Sequence, residues 1–587
     1  MRDPGRAVDV DVHVHVYVYG VVLLLALGSA RVAHAAYPTP ARGEEAMVVT
    51  ARPEATRAAL QILKAGGNAV DAAVCAALVL GVVEPYSSGI GGGGFLLLHR
   101  PGEEATVALD FREKAPAAAT RDMYLKEGEV VPGLSREGWL SVATPGQVAG
   151  LLLALEKWGK LPRAKVMAPA IRLARQGFPV SPRYQHLAGK SLEKLRKDPE
   201  AARIFLTRGE DGAWQVPPLG HVVKQPDLAR TLQRIAKQGS KGFYAGPVAR
   251  AIEASAKEGG GILTAKDLAA YAPTERAPVV GRYRGFEIHS MPPPSSGGVI
   301  LLELLQILEG HDPKARGWRS PATLHLMAEA MRRAFADRNT QLGDPAFVEN
   351  PIDTLLDPSY AARQRASIDP AKASRSDQVK PLAPEGASGE SGTHTSHLSV
   401  VDATGNAVAL TTTVNYLFGA GVVAKGTGVL MNDEMDDFAA APGAPNVFGL
   451  VQGEANAVAP NKIPLSSMSP TLVFEPGEGG RRLRWVVGSP GGPRIITTVL
   501  QVLIEVIDHG KDIQEAVSLP RLHHQWYPDR IFVEPGFEAA TLEGLKALGH
   551  TLEEGEPWSA ANCIEVDEAG VRHGGTDPRQ EGLAEGY

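Results

Sequence analysis

The chain has 587 residues, with 60 basic and 66 acidic side chains and a formal net charge of −6. This slightly acidic balance argues against a protein that binds the phosphate backbone of nucleic acids, because such proteins usually carry a basic surplus. Hydrophobic residues at 44% and charged residues at 21% are ordinary for a globular protein and exclude a disordered or collagen-like chain. At about 150 residues per domain, the length alone predicts roughly four domains.

The cysteine content excludes two further classes of protein. The two cysteines, Cys75 and Cys563, are too few for a disulfide framework or for a structural zinc site with four cysteine ligands. Cys75 stands in an apolar run and is expected in the core. A single bridge between the two cysteines stays open at this point.

The N-terminus predicts export. Residues 20–30 form an apolar core that is too short to span a bilayer, and a small-x-small pattern follows it. These features predict a signal peptide over residues 1–36, a mature chain without a membrane anchor, and a periplasmic or secreted location. The segment before the core carries two arginines against three aspartates where positive charge is expected, so the true start residue stays open. His13 and His15 have no second ligand pair and do not predict a metal site.

The first predicted elements of the exported chain are helices, followed by a glycine-rich turn. Residues 54–83 have a helical pattern. The spacing of Gly89, Gly91 and Gly94 is that of G-x-G-x-x-G, but the dinucleotide fingerprint needs a strand before it and a helix after it. Here a helix precedes the glycines and a strand at 95–99 follows them. We therefore expect a tight turn that packs against another part of the backbone.

The middle of the chain alternates helices with proline and glycine breaks. Within residues 146–344, the segments 147–158, 225–238 and 321–335 have amphipathic helical patterns. Residues 371–392 are different, because they are polar, rich in Ser, Pro and Gly, and lack periodicity. This composition predicts a flexible, exposed linker.

A β-hairpin is predicted directly after the linker. The segments 397–401 and 406–414 are apolar and threonine-rich, and a short loop with Gly405 in the left-handed conformation joins them. If the residues that flank this loop pair, the register places Thr395 directly opposite Thr413 unless a bulge shifts it. Two threonine hydroxyls are therefore expected to meet at the open end of the hairpin.

A second glycine-rich turn lies near the end of the chain. A strand at 483–487, a turn of glycine, serine and proline at 488–493, and an apolar helix at 495–507 follow one another. The helix start presents backbone N–H groups that suit an anion or a developing oxyanion. On the local sequence alone, a structural turn without a ligand is an equal alternative.

The motifs together carry a family resemblance. Residues 395–402, Thr-Ser-His-Leu-Ser-Val-Val-Asp after a polar linker, resemble the self-cleavage site of the γ-glutamyltransferase family. Each motif alone is weak, but their order along nearly the whole exported chain is specific. The resemblance continues through residues 84–95, 110–113, 435–438, 445–449, 464–470 and 488–492.

The resemblance implies a fold and a self-processing step. The family belongs to the N-terminal-nucleophile hydrolases, which are α+β proteins with a four-layer αββα sandwich. It implies a cut between His394 and Thr395, giving a large subunit of residues 37–394 and a small catalytic subunit of residues 395–587. The cut makes chemical sense, because a threonine hydroxyl needs a base and a new α-amine with a pKa of about 7.7–8.0 supplies one on the same residue.

The resemblance also implies a role for each site residue. Thr395 resembles the nucleophile, Thr413 the residue that bonds its hydroxyl, and Gly491 and Gly492 the oxyanion hole. Arg112, Ser466 and Ser467 resemble the residues that contact the substrate α-carboxylate. Asp437, with Asn415 and Glu434, resembles the group that contacts the α-ammonium. The alternatives are a surface ion pair of Arg112 with Glu113 or a nearby acid, and a solvated turn at Asp436 and Asp437.

One segment resembles a lid over the γ-glutamyl pocket. It covers residues 445–449, and Phe448 stands where tyrosine is common in bacterial members of the family. A lid hydroxyl contact is therefore not expected. The presence of a lid favours γ-glutamyl amides over bulky acyl compounds.

The predicted function is that of an exported γ-glutamyltransferase and glutathione hydrolase that acts through a γ-glutamyl ester of Thr395. The acyl group passes to water, an amino acid or a dipeptide, and no metal or organic cofactor is implied. One alternative is a glutaryl or cephalosporin acylase on the same fold. The other is a non-catalytic exported binding protein, which would stay a single intact chain.

Overall fold

A computed structural model describes residues 37–103, 105–313, 315–382, 395–441, 453–477 and 480–587. Pro40–Tyr587 forms one compact unit, so the four domains predicted from length are wrong. The predicted signal peptide, His394, the second half of the linker and the lid lie outside the described residues. No helix in the described ranges is long and apolar enough to cross a membrane.

Two seven-stranded sheets form the centre of the described structure. Their strands are, in chain order, β1 (Ala41–Gly43), β2 (Met47–Thr50), β3 (Gly93–His99), β4 (Val107–Asp110), β5 (Thr274–Arg276), β6 (Val279–Tyr283), β7 (Phe286–Ser290), β8 (Thr395–Val401), β9 (Ala407–Thr413), β10 (Thr471–Gly477), β11 (Gly480–Val487), β12 (Asn562–Val566), β13 (Arg572–Thr576) and β14 (Leu583–Gly586). The first sheet has the order β5-β4-β3-β9-β8-β2-β14 and the second β1-β13-β12-β11-β10-β7-β6. Shorter strands pair as Leu125–Lys126 with Glu129–Val130, Phe178–Pro179 with Val222–Val223, Thr207–Arg208 with Trp214–Gln215, and Val423–Ala424 with Val429–Leu430, and a small sheet joins Leu522–His523, Ile531–Val533 and Leu552–Glu554.

Helices cover the outer faces of the two sheets. They are α1 (Pro53–Lys64), α2 (Ala69–Val83), α3 (Gln147–Trp158), α4 (Arg163–Gln176), α5 (Pro182–Lys190), α6 (Leu192–Lys197), α7 (Pro199–Phe205), α8 (Pro226–Gln238), α9 (Lys241–Tyr244), α10 (Gly246–Glu258), α11 (Ala265–Ala270), α12 (Gly297–Glu309), α13 (Pro321–Gln341), α14 (Ile352–Leu355), α15 (Pro358–Ala366), α16 (Arg494–Ile507), α17 (Ile513–Ser518) and α18 (Ala539–Ala547). The predicted helices 147–158 and 225–238 are confirmed as α3 and α8, but the helix predicted at 321–335 continues to Gln341.

The side chains of β3 show how the layers are held together. Leu96 and Leu98 pack into the core that the first sheet shares with α1 to α4, whereas Phe95 and Leu97 pack into the core between the sheets. Because successive side chains of a strand point to opposite faces, a strand buried on both sides becomes apolar throughout. The second core continues through the second sheet to α12 and α16. The molecule is a four-layer αββα sandwich, which confirms the predicted fold class.

Three local predictions from the glycines and cysteines are confirmed. Gly405 has φ of 83°, as the hairpin loop requires. A Cβ placed on Gly92 would lie 1.9 Å from Thr413 O and one on Gly94 2.3 Å from Thr411 O, so the glycine-rich turn packs against β9 and holds no nucleotide fingerprint. Both cysteines are buried and free, so the bridge left open by the sequence is absent from this structure.

The first half of the predicted linker, residues 371–382, is exposed at six of its twelve positions, as predicted, but contacts hold it to the rest of the structure at two points. Ser376 is buried in a short 3-10 turn, and its backbone N–H donates to Asp529 at 2.8 Å while its hydroxyl donates to Trp526 O at 2.6 Å. Leu382 N–H donates to Asp337 at 2.6 Å. The composition did not indicate these two contacts, because polar residues that bond to buried partners resemble linker residues in composition.

Candidate active site

The two predicted threonines meet at the open end of the β8–β9 hairpin. Thr395, the first residue of β8, pairs with Thr413, the last residue of β9, so the predicted register is confirmed. The Thr395 hydroxyl donates to Thr413 Oγ1 at 3.4 Å, and that oxygen also accepts the Asn415 backbone N–H at 2.8 Å. Both side chains are buried. The hairpin therefore presents one threonine hydroxyl held by another.

A small pocket beside these threonines gathers most of the predicted site residues. Met468 and Ile495 add apolar wall to it. Of the predicted residues, Gly491 lines a neighbouring cavity, and His394 lies outside the described residues. The predicted residues that line the small pocket are Arg112, Thr395, Thr413, Asn415, Glu434, Asp437, Ser466, Ser467 and Gly492.

Arg112 forms the charged centre of the small pocket. Its guanidinium donates to Glu434 Oε1 at 2.5 Å and to an Asp437 carboxylate oxygen, and its Nε donates to Pro464 O at 2.8 Å. These three side chains are almost fully buried, which rules out both the surface ion pair and the solvated turn. An arginine has five N–H donors, so at least one remains for a ligand after these contacts and a longer one, of 3.3 Å, to Leu465 O.

Glu113 is a buried acid, and the sequence did not indicate that its pKa is shifted. Burial raises its pKa well above the ordinary range for a glutamate, and the neighbouring Glu434 carboxylate raises that pKa further. Both effects favour the protonated form of Glu113, which lies beside Glu434. Burial also raises the pKa of Glu434, although the neighbouring Arg112 guanidinium opposes the increase.

Arg338 is a second buried arginine next to the small pocket, and the sequence gave no sign of it. It lies on α13, beyond the predicted end of that helix at residue 335. Its Nη2 donates to Ser467 Oγ at 2.7 Å and its Nε to Ser296 Oγ at 2.9 Å. Ser296 in turn donates to Ser466 O at 2.6 Å, so Arg338 supports the serine segment from behind.

The glycine turn before α16 lies beside Thr395. Gly491 and Gly492 have φ of 129° and 58°, and the helix begins at Arg494. A Cβ on Gly491 would lie 1.9 Å from Ser559 Oγ, so the backbone there is packed as closely as a glycine allows. The first turn of a helix leaves backbone N–H groups without partners inside the helix. The turn is thus suited to stabilise a negative oxygen that forms near Thr395.

A titratable group contacts β8 next to Thr395. Ser396, next to Thr395, donates its hydroxyl to the Glu84 carboxylate at the end of α2. Burial raises the pKa of Glu84 to about 7, although the Ser396 bond and the charge of Arg183 oppose the increase. This carboxyl is therefore partly protonated at neutral pH.

One cluster in the described part of the chain has the composition of a metal site. His325, Glu329 and His550 offer ligand atoms within 4.8 Å of one another. The two histidine rings already share a hydrogen bond of 2.7 Å, and Glu329 is held by Arg332 at 3.2 Å and Arg333 at 2.7 Å. The guanidinium charges next to the carboxylate oppose a cation there. The cluster is not part of the small pocket.

The similarity to known proteins agrees with this geometry. The gamma-glutamyltranspeptidase family model matches residues 55–587. The chain is 45% identical over 567 residues to a glutathione hydrolase proenzyme of Pseudomonas sp. (strain A14), covering 94% of this chain and 96% of that protein. It is 45% identical over 556 residues to a glutathione hydrolase proenzyme of Escherichia coli (strain K12), covering 93% of each.

The fold has solved counterparts as well. A cephalosporin acylase from Bacillus halodurans superposes with a TM-score of 0.81 at 29% identity, covering 94% of this chain and 98% of that one. The four-layer sandwich is thus of the N-terminal-nucleophile hydrolase type. The chain belongs to the γ-glutamyltranspeptidase family and is an enzyme of the γ-glutamyltransferase and hydrolase class.

Proposed function

We propose that the enzyme cuts its own chain between His394 and Thr395 and then cleaves γ-glutamyl amides, glutathione among them, through a γ-glutamyl ester of Thr395. The observation that supports this most strongly is the Thr395–Thr413 pair beside Arg112 in one pocket. Before the cut, the Thr395 nitrogen belongs to a peptide bond and cannot act as a base. After the cut, the same nitrogen is an amine next to the hydroxyl that it activates.

The charges of the small pocket suit an α-amino acid head group. The two cations Arg112 and Arg338 lie beside the two carboxyl groups of Glu434 and Asp437. A zwitterion adds no net charge to such a pocket. Its carboxylate is taken by Arg112 with the hydroxyls of Ser466 and Ser467, and its ammonium by Asp437 and Glu434 with Asn415.

The reaction follows from these positions. Thr395 Oγ1 attacks the γ-carbonyl carbon while its proton passes to the Thr395 amine, and the N–H groups of Gly491 and Gly492 stabilise the oxyanion. The Thr395 ammonium then protonates the leaving amine, such as cysteinylglycine, as the C–N bond breaks. Water or the amine of an amino acid or dipeptide next attacks the ester, and the γ-glutamyl group leaves as glutamate or as a new amide.

An acylase for glutaryl or cephalosporin side chains is the second candidate, since the solved counterpart is named as a cephalosporin acylase. A glutaryl group has no ammonium, so Asp437 and Glu434 would then bury carboxylates without a ligand partner. The test is to compare the release of p-nitroaniline from γ-glutamyl-p-nitroanilide and from glutaryl-p-nitroanilide. We expect at least about a hundredfold preference for the γ-glutamyl compound. Equal rates would favour the acylase.

We also propose that residues 1–36 are an export signal and that residues 37–394 and 395–587 remain associated as a heterodimer after the cut. Pairing of β8 from the small subunit with β2 from the large one supports this association. Separation of the two fragments under native conditions would contradict it. Recovery of activity from a periplasmic or culture fraction, and its loss when residues 1–36 are deleted, is the expected result for export.

A further inference from the structure

Thr395 lies at the junction of two cavities, of which the small pocket is only one. The second cavity has a volume of about 420 Å³. Thr395 lines both cavities, while Gly492 lines the small pocket and Gly491 the larger cavity. When the acyl half of a substrate fills the small pocket, the amine half of the scissile bond therefore faces the larger cavity.

Arg494 lines this larger cavity, and its guanidinium lies against two aromatic rings. Its guanidinium carbon lies 4.4 Å from the ring centroid of Trp558 and 5.0 Å from that of Phe532. It has no hydrogen-bond or ion-pair partner in the described part of the chain. Burial lowers its pKa, and the negative charges of Glu534 and Glu553 oppose this only in part. Aromatic rings hold the plane of a guanidinium and leave the N–H donors at its edge for a ligand.

Arg183 is a second cation that lines this cavity. Arg183 of α5 donates from Nη1 to Arg579 O at 2.9 Å, and its buried Nε has no hydrogen-bond partner. No carboxylate of the described residues lies within ion-pair distance of Arg183. The carboxylates of this cavity are engaged instead, with Glu553 on Arg530 at 2.5 Å and Glu556 on Lys190 at 2.8 Å. The cavity therefore has positive charge without a partner.

We propose that this cavity binds the amine half of the reaction and that Arg494, assisted by Arg183, holds a carboxylate on it. The ligands are amino acids and short peptides with a free C-terminal carboxylate, either as the leaving group or as the acceptor. An extended dipeptide spans about 7 Å, so its amine can lie at Thr395 while its carboxylate lies deeper in the cavity. The inference rests on the proposed function, which places the γ-glutamyl group in the small pocket.

The transfer step needs only the acceptor amine, the γ-glutamyl ester and the Thr395 amino group. The acceptor amine forms an amide bond with the γ-carbonyl carbon, and the ester bond to Thr395 Oγ1 breaks. The proton of the amine passes by way of the Thr395 amino group to the departing Thr395 oxygen. Arg494 takes no part in these bonds, because it acts on the far end of the acceptor and determines which acceptors are positioned well.

The test compares two acceptors that differ only in charge, glycylglycine and glycylglycinamide, with γ-glutamyl-p-nitroanilide as donor. The self-cleaved wild-type enzyme is expected to show a kcat/KM for glycylglycine at least about tenfold above that for glycylglycinamide. In Arg494→Gln this ratio should fall at least about tenfold, and in Arg494→Lys it should fall by less, because the charge remains and the fork is lost.

Arg208→Gln is the matched control. Arg208 also stacks on a tryptophan, Trp214, at 3.8 Å, and it does not line the cavity. This variant should keep the wild-type ratio. A wild-type ratio near one, or an Arg494→Gln enzyme that keeps the wild-type ratio, would overturn the inference and leave the proposed function standing. A wild-type protein that releases no p-nitroaniline from the donor would overturn both.

Discussion

Thr395 and Thr413 face each other across the last pair of the β8–β9 ladder, 3.4 Å apart between their hydroxyl oxygens. The contact fixes the rotamer of the Thr395 hydroxyl, because Thr413 Oγ1 is itself held by the Asn415 backbone N–H. A hydroxyl held in this way is already oriented, as the proposed attack by Thr395 requires.

The first prediction concerns this pair. Thr413→Ala removes the oxygen that accepts the hydrogen bond of the Thr395 hydroxyl and should lower kcat for γ-glutamyl-p-nitroanilide about 10- to 100-fold. Thr413→Ser keeps a hydroxyl and should retain most of the rate. A steady-state assay of both variants, after self-cleavage is confirmed on a gel, measures the difference. Equal rates in the alanine and serine variants would show that the hydroxyl has no role.

The second prediction concerns Arg112. Arg112→Lys keeps a charge but loses the fork that joins Glu434 and Asp437, so kcat/KM for the γ-glutamyl substrate should fall about a hundredfold. Arg112→Met should also destabilise the protein by about 3–5 kcal/mol, since two buried carboxylates lose their cation. Arg521→Lys is the control, because Arg521 is equally buried with Asp577 and does not line the small pocket. Similar losses of kcat/KM in both lysine variants would speak against ligand binding by Arg112.

The third prediction concerns Gly491. Gly491→Ala combines a strained positive φ with a Cβ that would overlap Ser559 Oγ, so the turn must move and kcat should fall about a hundredfold or more. Gly510→Ala is the control, since its φ is +61° and nothing lies within 4 Å of an added Cβ. It should cost about 1 kcal/mol of stability and leave kcat close to the wild-type value. Rates from one purified preparation of each variant decide between these outcomes.

The fourth prediction concerns the pH dependence of stability at Glu84. Its folded-state pKa of about 7 exceeds the ordinary value of 4.5, so the folded protein binds the proton more tightly than the unfolded chain does. The stabilisation from this proton is complete below about pH 4.5 and is lost as the pH rises towards 7, by about 3 kcal/mol in all. Glu84→Gln should remove this contribution. Thermal unfolding at several pH values between 4.5 and 7 should therefore show a smaller decrease for Glu84→Gln, and an unchanged slope would contradict the assignment.

Local patterns predicted much of the hairpin and the glycine turns. The register of Thr395 with Thr413 followed from one loop, because a tight turn with Gly405 leaves the strands few ways to pair. The helices also followed, except that α13 passes its predicted end and carries Arg338 to the serine segment. Its last turns are buried yet polar, so hydrophobic periodicity could not detect them.

The remaining site features depend on contacts between distant parts of the chain. Arg112 and Glu434 are 322 residues apart in sequence, and only their family motifs linked them in advance. The raised pKa of Glu113 and the burial of Ser376 depend on the residues that surround them in three dimensions. Composition alone could not show which polar residues satisfy buried partners.

The central claim is that Thr395 becomes an N-terminus, and Edman sequencing of the purified protein after denaturing electrophoresis tests it most directly. We expect two bands, with the smaller one beginning Thr-Ser-His and containing the 193 residues from 395 to 587. Thr395→Ala should remain a single uncut chain. A wild-type protein that stays uncut after long incubation yet cleaves γ-glutamyl-p-nitroanilide, or a small chain that begins at another residue, would contradict the account.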